Sequence, residues 1–141
     1  MGQGRGISLM KRSKIAIIGS GFTGQGTALF AAARDLGDIV LVDLPARENY
    51  AKGVALDMME AMPVYGNDTR LTGTADYAEI AGADVVVITA GVPRKPGMSR
   101  EDLVNTNAGI VKDVAEKVAK YAPDSVIIVL SNPVDSMTYV A

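Results

Sequence analysis

Apolar residues in this chain fall into short unbroken runs, separated by stretches in which they recur every three or four positions. Ile15 to Ile18, Ile39 to Val42, Val85 to Ile88 and Val126 to Leu130 are continuous. Runs this short and this uniformly apolar predict strands buried on both faces, as in a parallel sheet covered by helices. They place strands at about Lys14–Ile18, Asp38–Asp43, Asp84–Ala90 and Ser125–Leu130, with a weaker one at Arg70–Thr74. The intervening periodicity predicts helices. Thr23 to Leu36 puts Ala28, Leu29, Ala32, Ala33 and Leu36 on one stripe, with Gly37 as its C-cap. Asn49 to Met62 carries Tyr50, Ala51, Val54, Ala55, Met58 and Met62 inward and stops before Pro63. Arg100 to Tyr121 turns Leu103, Ala108, Val111, Val114, Ala115 and Val118 inward and opens on Ser99 and Asp102 in capping-box spacing. A further helix starts at Pro133.

Strands alternating with helices predict a doubly wound parallel sheet. Right-handed crossovers then give the order 3-2-1-4-5. In that order the carboxyl ends of strands one, four and five meet along one crevice. They carry Gly19 to Gly24, Thr89-Ala90-Gly91 and Ser131-Asn132.

The first of these ends is the most informative. Lys14 to Gly24 reads KIAIIGSGFTG, a strand, a G-x-G-x-x-G turn and the start of a helix. Gly19 lets the chain leave the strand tightly, Gly21 lets a pyrophosphate approach the backbone, and Gly24 lets helix and sheet pack closely. Amides of Ser20, Phe22 and Thr23 join them at a helix N-terminus, whose unpaired N–H groups and positive dipole end favour an anion. The second strand ends in Asp43, about 20 residues past the last glycine, where an acidic side chain holds the adenosine ribose. Leu44 to Arg47 is then a loop bordering the adenine. The plainer alternative is an ordinary βαβ unit with a glycine turn and a solvated aspartate. A strand before the motif, a helix after it and an acid at this spacing favour the Rossmann-type dinucleotide site.

Composition narrows the chemistry further. The 141 residues are one domain's worth, 48% hydrophobic, with a net charge of −2 and no basic stripe of the kind that binds nucleic acid. No apolar run approaches the ~20 residues of a membrane span. There is no cysteine, which removes disulfides and thiolate catalysis, and no histidine, which removes the commonest general acid–base. Residues 1–13 are glycine-rich, basic and aperiodic. They predict a disordered leader that is neither a secretory signal nor a myristoylation site, with Met10 an alternative start. Met58, Met59 and Met62 read as core filler, with a subunit interface as the alternative.

The loop after strand four, Gly91 to Arg100, carries Arg94, Lys95 and Arg100 on the cofactor side of the sheet. Two guanidinium forks suit a small dicarboxylate, or one carboxylate and a carbonyl to be polarised. A solvated basic loop is the competing reading.

Three motifs in order, KGVALDMMEAMPV, TAGVPRKPGMSREDL and SNPVDSMTYVA, closely resemble lactate-dehydrogenase-like malate dehydrogenases over residues 14–141. The resemblance implies that Gly19, Ser20, Gly21, Phe22, Thr23 and Gly24 bind the pyrophosphate of NAD and Asp43 its ribose. It also implies that Asn107 and the segment Leu130, Ser131 and Asn132 contact the nicotinamide half. Asn132 would hydrogen-bond the substrate oxygen. Arg94 stands where arginine goes with malate and oxaloacetate and glutamine with lactate, and Arg100 matches the mobile-loop arginine that polarises the reacting carbonyl. No metal is expected. The family's catalytic histidine, its partner aspartate, a further substrate arginine, the sixth strand and the substrate domain all lie beyond residue 141. The expected protein is therefore an NAD-binding domain truncated before the sixth strand. It belongs to a cytoplasmic homo-oligomer, a dimer or tetramer built on the Tyr50–Met62 helix, and alone binds cofactor without turnover. Lactate dehydrogenase is the nearest alternative, disfavoured by Arg94. An NAD-dependent glycosidase is disfavoured by the paired arginines, and a non-catalytic NAD-binding module suits the chain as it stands.

Overall fold

The computed structural model describes residues 11–141. Five strands, β1 (Lys14–Ile18), β2 (Asp38–Val42), β3 (Leu71–Thr74), β4 (Val85–Ile88) and β5 (Val126–Val129), form a parallel sheet in the order 3-2-1-4-5. The helices are α1 (Phe22–Ala33), α2 (Glu48–Tyr65), α3 (Arg100–Tyr121) and α4 (Val134–Val140), with single 3-10 turns at Pro45–Arg47 and Tyr77–Ile80. The expected class and strand order hold.

The two-residue alternation of strands divides the apolar runs between two cores. Ile15, Ile17, Ile39, Leu41 and Leu71 pack under α1 and α2 with Ala28, Ala32, Ala55 and Met62. Ala16, Ile18, Val40, Val42, Val86 and Ile88 pack under α3 with Val114 and Val118. Full burial of a large aliphatic side chain such as Ile17, Leu41 or Ile88 contributes roughly 1.5–3 kcal/mol. The small residues matter equally. A Cβ on Gly73 would overlap the backbone of Ala51, so α2 lies directly on β3.

Two helix ends differ from expectation. α1 stops at Ala33 because Asp35 takes a left-handed conformation (φ 53°) and the amides of Asp35 and Leu36 turn back onto the carbonyls of Ala32 and Ala31. Leu36, expected inward, is 56% exposed. α2 runs through Pro63 to Tyr65. In the last turn a proline forfeits only one backbone bond, and Gly66 (φ 77°) closes the helix with its amide on the Pro63 carbonyl at 3.1 Å. Of the three methionines there, Met62 is buried and Met58 packs against the core, whereas Met59 is exposed. Tyr50, also expected inward, is 46% exposed.

Residues 1–10 of the expected disordered leader lie outside the described residues. Its end is tethered to the domain: Lys11 reaches the Gly82 carbonyl, and Arg12 pairs with Asp35, with Asp38 at 3.1 Å and with Asp68 at 3.0 Å. At the opposite edge β5 pairs only with β4 among the described residues. Val126, Ile127 and Ile128 stay exposed although they form an apolar run.

Candidate cofactor-binding crevice

The ends of β1, β4 and β5 are tied together by hydroxyl and amide side chains. The Thr89 hydroxyl lies 3.0 Å from the Ile18 carbonyl and 3.2 Å from that of Gly19 and donates there, clamping β4 to the first turn. Ser131 donates to the Ala90 carbonyl at 2.5 Å. The turn itself needs glycine. Gly19 has φ 107°, and a Cβ there would meet the Thr89 hydroxyl at 2.7 Å. A Cβ on Gly24 would overlap the Gly19 carbonyl. A Cβ on Gly21 meets nothing within 4 Å, because the backbone there faces open space.

That space continues the N-terminus of α1. Gly21 is the N-cap and no side chain caps it; the first helical bond runs from the Gln25 amide to the Gly21 carbonyl at 2.8 Å. The preceding amides of the first turn thus have no intrahelical acceptor. No acid stands in that turn, and Phe22 projects outward, 92% exposed. The corner is shaped to receive an anion through backbone N–H groups.

Asp43 points into this corner. Its Oδ2 accepts from the Ser20 amide at 3.1 Å, from the Ser20 hydroxyl and from Arg47 Nε at 3.1 Å, while Oδ1 accepts the Leu44 amide at 2.8 Å. Oδ1 thus keeps capacity for a sugar hydroxyl. Partial burial pushes the carboxyl upward, but hydrogen bonds from the Ser20 hydroxyl, the Leu44 and Ser20 amides and Arg47 outweigh it. The group sits below its ordinary value of 3.8 and is ionised near neutral pH. Gly19, Ser20, Gly21, Asp43, Thr89 and Gly91 line one cavity of about 390 Å³. A second, of about 720 Å³, shares Gly19, Asp43, Leu44 and Ile110 with it and extends along α3 to Tyr77 and Tyr121. Tyr77 stays a neutral phenol, pushed up to about 12 by burial and by the charges of Asp113 and Asp43. An open backbone cradle, a helix N-terminus, an ionised acid beside it and an adjoining apolar slot fit a dinucleotide diphosphate, its ribose and its base.

The family assignment rests on this geometry together with sequence likeness. Residues 13–141 match the lactate/malate dehydrogenase NAD binding domain. The chain belongs to that family. Over 132 residues it is 95% identical to the malate dehydrogenase of Symbiobacterium thermophilum, covering 94% of this chain and 42% of that protein. The malate dehydrogenase of Archaeoglobus fulgidus in complex with NADH superposes with a TM-score of 0.85 at 41% identity, over 90% of this chain and 43% of the other. The lactate dehydrogenase of Cryptosporidium parvum, complexed with lactic acid and the dinucleotide, gives 0.86 at 41% identity, over 94% and 41%. As a lactate/malate dehydrogenase NAD-binding domain, the chain uses NAD as its cofactor.

The remaining expected site residues are distributed less evenly. Asn107, on α3, is 1% exposed. Its amide accepts from Val92 N at 2.9 Å and donates to the Val92 carbonyl at 3.2 Å and the Asn132 carbonyl at 2.7 Å. All of that amide's polar contacts go to backbone, so Asn107 joins the start of the arginine loop to the segment after β5. Leu130 and Asn132 are exposed at the crevice end and Ser131 is buried. Arg94 is exposed with Nε on the Met98 carbonyl at 3.1 Å. Arg100, exposed at the first turn of α3, makes no side-chain hydrogen bond or ion pair among the described residues. Neither arginine lines either of these two cavities. Sequence reasoning missed the Ser20 hydroxyl as a partner of Asp43 and Thr89 as a clamp. Both are small hydroxyl residues whose partners lie on other strands, so no local spacing marks them.

Proposed function

We propose that this chain is the cofactor half of a malate dehydrogenase, catalysing reversible hydride transfer between NAD(H) and malate or oxaloacetate. The chain spans 42% of the length of the Symbiobacterium thermophilum relative, and the complete reaction belongs to the longer protein. The observation that carries the reading is the corner where Asp43 reaches Ser20 beside the open backbone at Gly21.

In this reading Gly19, Ser20, Gly21, Phe22, Thr23 and Gly24 hold the pyrophosphate and Asp43 the ribose. Leu130, Ser131 and Asn132 border the nicotinamide half, and Asn107 keeps that border in place. NAD, when bound, supplies the hydride acceptor. Asn132 hydrogen-bonds the substrate oxygen, and Arg100 polarises the reacting carbonyl. Arg94 grips the second carboxylate, because a carboxylate buried without a partner charge costs about 2–5 kcal/mol. Closure of Gly91 to Arg100 over the substrate excludes water and brings both arginines inward. The 141 residues hold no histidine, so a histidine-based proton transfer needs residues outside this sequence. No described helix is long and apolar enough to cross a membrane, and a cytoplasmic setting is part of the reading. So is a homo-oligomer, to which the exposed Tyr50, Leu56 and Met59 of α2 lend support.

Fluorescence titration of the purified chain with NADH, run beside an oxaloacetate-reduction assay, tests the division of labour. Binding without turnover is expected; turnover overturns the division, and absence of binding overturns the cofactor reading. Lactate dehydrogenase is the second reading, favoured by neighbours such as the Cryptosporidium parvum enzyme. In the complete enzyme, Arg94→Gln should move preference from oxaloacetate toward pyruvate. An unchanged preference removes Arg94 as the discriminator.

A further inference from the structure

Gln25 stands in the first turn of α1, one residue beyond the last glycine of the motif. Its side-chain nitrogen donates twice, to the Ser20 carbonyl at 2.9 Å and to the Tyr50 hydroxyl oxygen at 2.7 Å. Both protons that this nitrogen carries are thereby used. The backbone amide of the same residue donates to the Gly21 carbonyl at 2.8 Å. Gln25 therefore holds two successive carbonyls of the glycine turn. Tyr50 lies in the first turn of α2, 25 positions along the chain, with its ring centroid 4.5 Å from the Arg47 guanidinium carbon. The turn is thus braced from a second helix.

A trans peptide is planar, and its carbonyl and N–H point to opposite sides. With the Ser20 carbonyl fixed on Gln25, the Gly21 N–H is aimed the other way. Fixing the Gly21 carbonyl does the same for the Phe22 N–H. Neither amide has a backbone acceptor among the described residues, and the space in front of Gly21 is open. Ser20 is fully buried, so Gln25 gives its carbonyl the partner that water cannot. Resting on the reading of this corner as the diphosphate site, we propose that Gln25 is a positioning residue for the cofactor diphosphate, itself held by the Tyr50 hydroxyl. It acts through the backbone, presetting the directions of the Gly21 and Phe22 amides. A plain packing brace would affect every ligand of the crevice alike, whereas a positioning residue affects only those that carry phosphate.

The test is a fluorescence titration of the 141-residue chain with NADH, and with ADP and adenosine by displacement, with far-ultraviolet circular dichroism to monitor folding. Gln25→Met keeps the side chain's length and removes its donors. It should weaken NADH and ADP by about tenfold, the worth of one hydrogen bond to a charged group, and leave adenosine unchanged. Tyr50→Phe removes only a hydroxyl and should weaken NADH by about threefold. In the Gln25→Met background it should add nothing. Unchanged NADH affinity in Gln25→Met overturns the proposal, as does an equal loss of adenosine. Additive losses in the double variant overturn the part given to Tyr50. If Gln25→Met does not fold, Tyr50→Phe decides: a loss confined to NADH and ADP sustains the proposal, and no loss, or one shared by adenosine, overturns it. A wild-type chain that binds neither NADH nor ADP overturns the cofactor reading as well. NADH binding with no influence of Gln25 overturns the proposal alone.

Discussion

The corner between β1 and α1 and the loop from Gly91 to Ser99 lie on the same side of the sheet, yet they are built on opposite plans. At the corner every constraint is internal. Gly24 presses on Gly19, Thr89 clamps both strands and Asp43 is fixed by Ser20, Leu44 and Arg47. In the loop Arg94 is exposed and held by one bond to the Met98 carbonyl, and Arg100 just past it in the first turn of α3 is exposed too. A site for a diphosphate can be prepared in advance, because backbone amides need no neutralising partner while they wait. Under the proposed reading, guanidinium groups that are to grip a carboxylate stay hydrated until it arrives, since burying them unpaired is expensive. The corner is therefore the densely bonded end of the crevice, and the loop read as the substrate end is the sparsely bonded one.

The largest effect is expected at the densely bonded end. Gly24→Val should lower stability by about 3 kcal/mol, since the branched side chain must displace the Gly19 carbonyl. Arg94→Gln and Arg100→Gln should stay within about 0.5 kcal/mol. Urea unfolding measures both, and equal losses would erase the distinction between the two regions. Next comes Asn107→Leu, which strips the Val92 amide and two carbonyls of their partner and should cost about 2 kcal/mol. If Asn107 is what anchors the loop, limited proteolysis should then cut between Gly91 and Ser99 faster than in the wild type.

Gly21→Val separates binding from stability. Its side chain enters open space, so the urea midpoint should hold while NADH binding weakens by at least about tenfold, or 1.4 kcal/mol. A lost midpoint would mean that the cradle is packing rather than a site. The smallest effect is electrostatic. The Asp43 carboxyl lies lower in the folded chain than its ordinary value of 3.8. Its ionised form therefore stabilises the fold above an unfolded value of about 3.9, and the contribution fades as pH falls through the folded value. The stability gap between wild type and Asp43→Asn should shrink below about pH 4. A gap that stays constant down to pH 2 would show that hydrogen-bond shape, not charge, holds the corner.

Much of this was legible from spacing. The apolar runs place four of the five strands within one or two residues, Ser99 and Asp102 mark the start of α3, and the glycines with Asp43 locate the crevice. Where the reading slipped, a distant group had intervened. α1 ends early because Asp35 is held by Arg12 and Thr69, and those partners lie outside any helical window. Periodicity turns Leu36 and Tyr50 inward, but Leu36 falls beyond the shortened helix and Tyr50 lies in the exposed first turn of α2 with its hydroxyl bonded to Gln25.

The sequence by itself determined the alternation of elements, the strand order and the cofactor corner, because each follows from local periodicity, crossover handedness and residues that only glycine can replace. Tertiary structure alone decided that Ser20 and Arg47 share one oxygen of Asp43, and that the Asn107 amide bonds the backbone of Val92 and Asn132. Those facts depend on hydrogen bonds between atoms brought together by the sheet, and no sequence spacing encodes which lone pair a donor will meet.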